Sequence, residues 1–207
     1  MKHTKEDILA LNPCDDGLRF AEQCGFDTTK IYNTCHRGDW LIWWLRKTGA
    51  INKPQAVKLA IMCAERVLVI YEKERPGDLR PRRAIESAKT WIGNPTEENR
   101  HASAASAYAT DAAASAAAYA ASATYASAAY AAASATYAAA SADATDAAAA
   151  TAAAAYAAAA AIAAATPAAS KKESQWQADK IREIVPCPFD TDHPDHSACQ
   201  LMAQVIG

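Results

Sequence analysis

Residues 147–161 have the sequence AAAATAAAAYAAAAA, the densest part of an alanine-rich tract that runs from Ala102 to Ala169. Alanine occupies 44 of these 68 positions, and the tract contains no lysine, arginine or glycine. Alanine is the best helix former because it has no side-chain entropy to lose in a helix. Disordered tracts, in contrast, are usually rich in charge, glycine and proline. The tract therefore predicts α-helix rather than disorder.

This tract can be divided into helices in two ways. One is a single rod of roughly 100 Å, since an α-helix rises about 1.5 Å per residue. The other is a stack of shorter helices, broken where Ser, Thr and Asp supply natural N-caps. We favour the stack, because a lone rod with so few charges would be poorly soluble and its tyrosines would lack a partner surface. The predicted breaks lie at residues 109–111, 122–124, 134–136 and 141–146.

Alanine also determines how closely such helices pack. An alanine side chain buries little apolar area, so a single contact contributes little stability. Methyl surfaces, however, let two helices approach nearer than the usual separation of about 8–10 Å. We therefore expect tight layers of alanine-rich helices beside or around a conventional core.

The overall charge argues against a general attraction to nucleic acid or to a membrane surface. The chain has 21 basic and 23 acidic residues and a net charge of −2, without a long basic stripe that carries interleaved aromatic residues. No secretion signal is recognisable, and the alanine-rich tract is too polar for a transmembrane span. The six cysteines are irregularly spaced, which favours reduced thiols. The sequence predicts a cytoplasmic protein with neither a membrane nor a nucleic acid as its partner.

The first hundred residues predict ordinary amphipathic helices. Thr4 is a natural N-cap for the first helix, with Asp7 completing a variant of the capping box. Pro54 and Pro81 are each placed to open a later helix, because proline suits the first helical turn. The predicted helices lie at residues 5–11, 15–24, 28–35, 40–46, 55–74 and 81–93, with a last helix at 173–184.

Several separate stretches carry a family resemblance. They are GDWLIW at 38–43, AERVLVIYE at 64–72, DLRPRRAIE at 78–86 followed by Trp91, and WQADKIRE at 176–183. Together with the alanine-rich region, they resemble the Imm-5 family over most of the chain. Members of that family are assigned as immunity proteins of bacterial polymorphic-toxin systems, and similar domains occur in phage genomes. The resemblance implies an all-α protein that binds and neutralises a partner protein rather than catalysing a reaction.

The predicted helix after Asp39, its expected N-cap, carries three tryptophans. Its apolar side chains cover most of its surface, so the helix should be central and core packing is one interpretation of these rings. The functional alternative is a protein-binding site at Trp40 and Trp43, because tryptophan is enriched in binding hot spots.

An arginine cluster is the second candidate for partner binding. Arg80, Arg82 and Arg83 occur at the start of a predicted helix, where positive charge opposes the helix dipole. One interpretation is a solvated turn in which nearby carboxylates pair with the arginines. The other is a contact site for an acidic partner or a phosphate.

The end of the chain contains candidate zinc ligands. Cys187, His193, His196 and Cys199 comprise two thiols and two imidazoles, a set that can bind Zn²⁺ tetrahedrally. Their spacing is not that of a standard zinc finger, since Cys187 stands alone and the histidines flank Pro194. We expect no cofactor, with zinc binding as the alternative.

The sequence contains no motif for a catalytic nucleophile, a phosphate-binding loop or a metalloprotease, so we expect a non-enzymatic protein.

We predict an all-α fold in one structural unit, with a Trp-containing part at 1–100, an alanine-rich array at 101–170 and a C-terminal helix and tail at 171–207. The favoured function is a protein-binding inhibitor of a toxin or, if phage-encoded, of a host defence protein. The alternatives are a scaffolding protein that forms homo-oligomers through its alanine-rich helices, and a small metal-stabilised regulator.

Overall fold

The computed structural model describes residues 3–119, 123–141, 144–163 and 167–189. Within these ranges it contains ten α-helices and no strand, so the all-α prediction is confirmed. Their bounds are α1 Lys5–Ala10, α2 Asp15–Gln23, α3 Thr28–Thr34, α4 Gly38–Thr48, α5 Lys53–Glu74, α6 Arg80–Gly93, α7 Glu97–Tyr119, α8 Ala123–Ala140, α9 Ala144–Ala163 and α10 Pro167–Ile184. None of these described helices combines the length and apolar character that crossing a bilayer requires.

The chain divides into two compact units. Among the described residues, the smaller unit comprises 3–35 and 185–189, and the larger unit comprises those between 36 and 184. The three-part division predicted from composition stays a prediction.

The smaller unit holds the segment that follows α10 against α3. The Tyr32 hydroxyl donates a 2.6 Å hydrogen bond to the Val185 carbonyl, and both groups are buried. Phe189 is 1% exposed and meets the rings of His3 and Tyr32 edge-on, with centroids 5.5 and 5.9 Å apart. The predicted capping box at the start of α1 is confirmed, since Thr4 and Asp7 each accept a hydrogen bond from the other's backbone N–H.

In the larger unit, α5, α8 and α9 pack against one another and form the centre. Helices α6 and α7 cover α8, whereas α4 and α10 cover α9. The buried side chains of α5 include large apolar residues, but those described on α8 and α9 are almost all alanine. The fully buried alanines of these two helices are Ala131, Ala132, Ala135, Ala138, Ala139, Ala147, Ala154 and Ala158.

Short polar side chains reveal how near these helices lie. The buried Thr151 hydroxyl is 2.7 Å from the Ala56 carbonyl of α5 and 2.8 Å from the Ala147 carbonyl of its own helix. A threonine side chain is too short to reach the backbone of a neighbouring helix unless the two helices are close together. Ser103 of α7 and Ser87 of α6 make a similar contact, with their hydroxyl oxygens 3.3 Å apart.

The prediction of stacked alanine helices is confirmed, but two of its four breaks are wrong. Helix α7 continues through residues 109–111, and α8 continues through 134–136. Thr110 is fully buried in α7, where its hydroxyl lies 2.9 Å from the Ser106 carbonyl and 3.2 Å from the Arg80 carbonyl of α6. The hydroxyl therefore bonds to carbonyls within and between helices instead of capping a new helix. The breaks predicted near 122–124 and 141–146 do match the starts of α8 and α9.

Three other helix boundaries differ from the sequence prediction. Helix α4 begins at Gly38, so Asp39 lies in its first turn and pairs with Arg37 instead of serving as the N-cap. Helix α5 is capped by Asn52, whose side chain and that of Gln55 form a capping box. Helix α10 begins at Pro167, six residues earlier than predicted, because proline suits the first turn of a helix.

Two basic residues cap the C-terminus of α8. Arg100 donates a 3.1 Å hydrogen bond to the Ala140 carbonyl, and the Lys53 ammonium group donates a 2.5 Å hydrogen bond to the Ser141 carbonyl. The same ammonium lies 4.1 Å from the centroid of Trp91. Cations stabilise the negative end of a helix dipole. The two contacts place the start of α5 and the start of α7 beside the end of α8, so both helices run antiparallel to it.

The alanine packing predicts a position-dependent response to a larger side chain. Ala154 of α9 is 0% exposed and its neighbour Ala153 is exposed. We expect Ala154→Leu to lower the free energy of unfolding by about 1–3 kcal/mol, because it forces close-packed helices apart. Ala153→Leu should change it by less than about 0.5 kcal/mol, because leucine is also a good helix former. Urea denaturation followed by circular dichroism measures both, and equal effects at the two positions would contradict close packing.

Candidate protein-binding surface

One side of α5 faces solvent along its whole length. We call this side the α5 face and define it by Lys58, Met62, Arg66, Val69 and Lys73, which recur at helical spacing. Met62 is partly exposed and the other four residues are exposed, with Val69 at 65%. The opposite side of α5 is buried in the core of the larger unit.

An ion pair with a buried carboxylate borders the α5 face towards α10. Arg66 donates a hydrogen bond to Glu173, whose side chain is 0% exposed, whereas that of Arg66 is 40% exposed. The other carboxylate oxygen of Glu173 accepts a 3.1 Å hydrogen bond from the Gln177 amide, which also donates to the Ala155 carbonyl at 3.0 Å. A buried carboxylate needs such partners, because leaving it unpaired would be costly. The pair therefore holds Arg66 in a defined position.

Trp176 lies against Arg66 on the same border. The guanidinium carbon of Arg66 is 4.4 Å from the centroid of the Trp176 ring, a cation–π contact. Trp176 is partly exposed, so an aromatic ring and a fixed guanidinium are presented side by side. Cys63 lies beneath them, and burial together with the nearby Glu173 carboxylate raises the pKa of its thiol to about 12. This thiol is therefore neutral and unreactive at neutral pH.

Two ion pairs border the α5 face towards α6. The Lys89 ammonium group is 2.8 Å from Glu65, and the guanidinium of Arg82 binds both carboxylate oxygens of Glu72 at 2.7 and 2.6 Å. Hydrogen bonding to Glu65 raises the pKa of Lys89. Both borders of the α5 face are thus held by contacts between helices, which limits the reorganisation that binding would require.

Arg80 belongs to a separate cluster at the start of α6. Its guanidinium binds both oxygens of Asp78, at 2.8 and 2.6 Å, and the Tyr71 hydroxyl donates to the same carboxylate at 2.7 Å. The Arg80 hydrogen bonds hold the pKa of Asp78 well below its usual range, and burial raises the pKa of Tyr71 to about 12. This cluster joins α5 to α6.

The residues predicted to bind a partner occupy different helices. Among the described residues, Arg80 and Arg82 have the carboxylate partners expected of a solvated turn, whereas Arg83 is exposed and forms no ion pair. Trp40 and Trp43 are both partly exposed on α4, and the Arg37 guanidinium lies 4.7 Å from the Trp40 ring. Helix α4 packs on α9 and α10, and α6 packs on α5, α7 and α8. Their role in partner binding stays a prediction.

The predicted zinc ligands lie mostly beyond the part of the chain that the structure describes. Cys187 is partly exposed in the smaller unit, whereas His193, His196 and Cys199 fall outside the described residues. Among the described residues, no cluster of three or more His, Cys, Asp or Glu side chains suits a metal ion. Zinc binding by the tail stays a prediction.

Sequence reasoning did not single out Arg66, Glu173 or Gln177. The ion pair joins residues that are 107 positions apart, so no local pattern connects them. A usable signal was present in α10, where Glu173, Gln177 and Ile181 recur every four residues and form its buried side. A charged residue on such a side indicates a partner elsewhere in the fold.

The Arg66–Glu173 pair predicts unequal effects from its two single variants. Arg66→Met leaves a buried carboxylate unpaired and should lower the free energy of unfolding by about 2–3 kcal/mol. Glu173→Gln removes the buried charge and should lower it by about 1 kcal/mol. Urea denaturation of both variants measures this, and a larger loss from Glu173→Gln would contradict it.

Asp78 predicts a different pH dependence. Its pKa is lowered in the folded protein, so its stabilising contribution is present above the pKa of the unfolded chain, about 3.9. That contribution is lost as pH falls through the folded value. The stability difference between wild type and Asp78→Asn should therefore be greatest near pH 6 and shrink towards pH 2. Thermal unfolding across this range measures it, and a difference that stays constant would refute the account.

Comparison with known proteins places this architecture in a family. The family model described as "Imm-5 like putative immunity protein" matches residues 46–184, which is more than half of the chain. No curated protein and no solved structure matches the chain. The matched region includes all of α5 to α10, and with them Arg66, Glu173 and Trp176. The chain therefore belongs to the Imm-5-like family.

Proposed function

We propose that this chain is a non-enzymatic, cytoplasmic inhibitor that neutralises one partner protein by binding it directly. The partner is a toxin or, for a phage-encoded copy, a host defence protein. The observation that carries the proposal is the partly exposed Trp176 ring, whose centroid lies 4.4 Å from the guanidinium carbon of Arg66, with the exposed Val69 on the same side of α5 as Arg66. This arrangement lies within the family-matched region.

The composition of this surface supports protein binding. Tryptophan and arginine are enriched at the energetic centres of protein interfaces, where partly buried rings give contact area with little loss of side-chain freedom. Arg66 is already held by Glu173, so less ordering is needed when a partner arrives.

The scaffolding alternative is less well supported. Oligomerisation through alanine-rich helices needs free alanine surfaces, but the described alanines of α8 are mostly buried against neighbouring helices of the same chain. The exposed Ala153 and Tyr156 of α9 are the observation in its favour, with Tyr156 at 75% exposure. Size-exclusion chromatography with light scattering separates the two functions, since the inhibitor should elute as a small species and the scaffold as a large oligomer.

Co-expression tests the inhibitor. The probe is the product of the gene adjacent to this one, expressed with and without this chain. We expect the chain to restore the growth of cells that express this product and to form a complex of fixed stoichiometry with it. Trp176→Ala should raise the dissociation constant about 30-fold, because a hot-spot truncation costs about 2 kcal/mol or more. Circular dichroism checks that the variant is folded.

Trp40→Ala and Arg83→Ala are the matched variants at the other two candidate sites, and we expect both to bind like the wild type. If Trp176→Ala binds the partner as tightly as the wild type and Trp40→Ala does not bind it, the binding site lies on α4. Failure of the wild-type chain to bind or neutralise that product would contradict the proposed function.

A further inference from the structure

Lysines without salt bridges lie on and beside the α5 face. Lys58 and Lys73 lie on the face itself, and Lys172 lies on α10, one turn before Trp176 and on the same side of that helix. All three are exposed, and among the described residues none of them forms a salt bridge.

The positions of these lysines follow from the pairing of α5 with α10. Arg66 contacts Glu173 and Trp176 in the first half of α10, and the Gln55 side-chain amide donates a 3.2 Å hydrogen bond to the Ile184 carbonyl at the end of α10. Rising numbers on α5 thus match falling numbers on α10, so the two helices run antiparallel. Lys172 comes directly before Glu173 and therefore lies towards the Val69 end of the α5 face.

Four of the carboxylates near these lysines are already paired, among them Glu183 with Lys180, whereas the exposed Glu74 next to Lys73 forms no salt bridge among the described residues. Glu65 binds Lys89, Glu72 binds Arg82, and Glu173 binds Arg66. The remaining charge of the surface is therefore positive, although the whole chain has a net charge of −2. Complementary charge favours partners of opposite sign and speeds their association.

Apolar side chains occupy the middle of this positive surface. Val69 is 65% exposed, and Met62 and Trp176 are partly exposed beside it. Nucleic-acid sites also combine lysines with aromatic rings, but there the rings stack on successive bases. Here one ring is already stacked on Arg66, and the neighbouring apolar groups are aliphatic, which favours a protein partner.

We propose that the α5 face together with Trp176 and Lys172 binds an acidic protein surface, in which carboxylates flank an apolar side chain. The apolar side chain contacts Val69 and Met62, and the carboxylates contact the surrounding lysines. This inference rests on the proposed function and specifies the chemistry of the partner.

Two synthetic helical peptides test the chemistry directly. Each has 20 residues with leucines on one side, and these are flanked by glutamates in the first peptide and by glutamines in the second. Isothermal titration calorimetry should detect binding of the glutamate peptide, weakening as salt rises from 50 to 300 mM. The Lys58→Glu/Lys172→Glu double variant should bind it about tenfold more weakly, since each exposed charge contributes about 0.5–1 kcal/mol. Lys30→Glu/Lys47→Glu, at exposed positions of α3 and α4, is the charge-matched control and should bind normally.

Other results would overturn the inference. They are equal affinity for the two peptides, no binding of the glutamate peptide, or unchanged affinity in the double variant. If a 20-nucleotide oligothymidylate binds more tightly than the glutamate peptide, the surface binds nucleic acid instead. If the chain dimerises in a concentration-dependent way and Val69→Glu abolishes the dimer, the surface binds a second copy of this chain.

The co-expression partner separates the two proposals. If wild type and the double variant neutralise it equally well, the partner-binding function stands and the acidic-partner inference fails. If wild type does not neutralise it but the glutamate peptide binds the α5 face, the function fails and the inference about the surface stands.

Discussion

The close approach of α5, α8 and α9 is the constraint on which the larger unit depends. Alanine side chains bury little area, so α8 and α9 gain stability against each other and against α5 only if many backbone atoms come near one another. The Thr151 hydroxyl, 2.7 Å from the Ala56 carbonyl, marks one such contact. Gly38 marks another where α4 meets α10, because a Cβ atom at that position would lie 2.5 Å from the Cβ atom of Gln177. The unit therefore uses short side chains wherever helices meet most closely.

This packing also determines where the functional residues lie. Burying one side of α5 against α8 and α9 leaves Lys58, Met62, Val69 and Lys73 on the opposite side. Helix α10 is positioned by the hydrogen bond from Gln177 to the Ala155 carbonyl of α9. That contact brings Glu173 and Trp176 to Arg66, so the candidate surface is a consequence of the alanine core beneath it.

The local features of the fold could be predicted from the sequence, because local chemistry determines them. Helix propensity predicts the all-α class, and the cap at Thr4 follows from the residues beside it. The same rule misplaced breaks at Thr110 and at 134–136. At Thr110 the reason is that a threonine that caps a helix and one that bonds across a helix contact have similar sequence surroundings. The tertiary contact at Arg80 decides between the two at Thr110.

The candidate surface was harder to predict, because it joins distant parts of the chain. Arg80 and Arg82 were predicted to bind a partner because they are close together in the sequence, yet each is paired with a carboxylate. Arg66 lies among mostly apolar neighbours in the sequence of α5, and its position in the surface depends on the ion pair with Glu173 of α10. The pairing of α5 with α10 is tertiary information that a single sequence does not contain.

Hydrogen exchange of backbone amides tests the central claim most directly. If α5, α8 and α9 form one close-packed centre, amides at 56–68, 131–139 and 147–158 should be the slowest to exchange. Their opening free energies should be similar and should equal the global free energy of unfolding. Rapid exchange at 131–139 and 147–158, at the rates of isolated alanine helices, while α5 stays protected, would contradict the account.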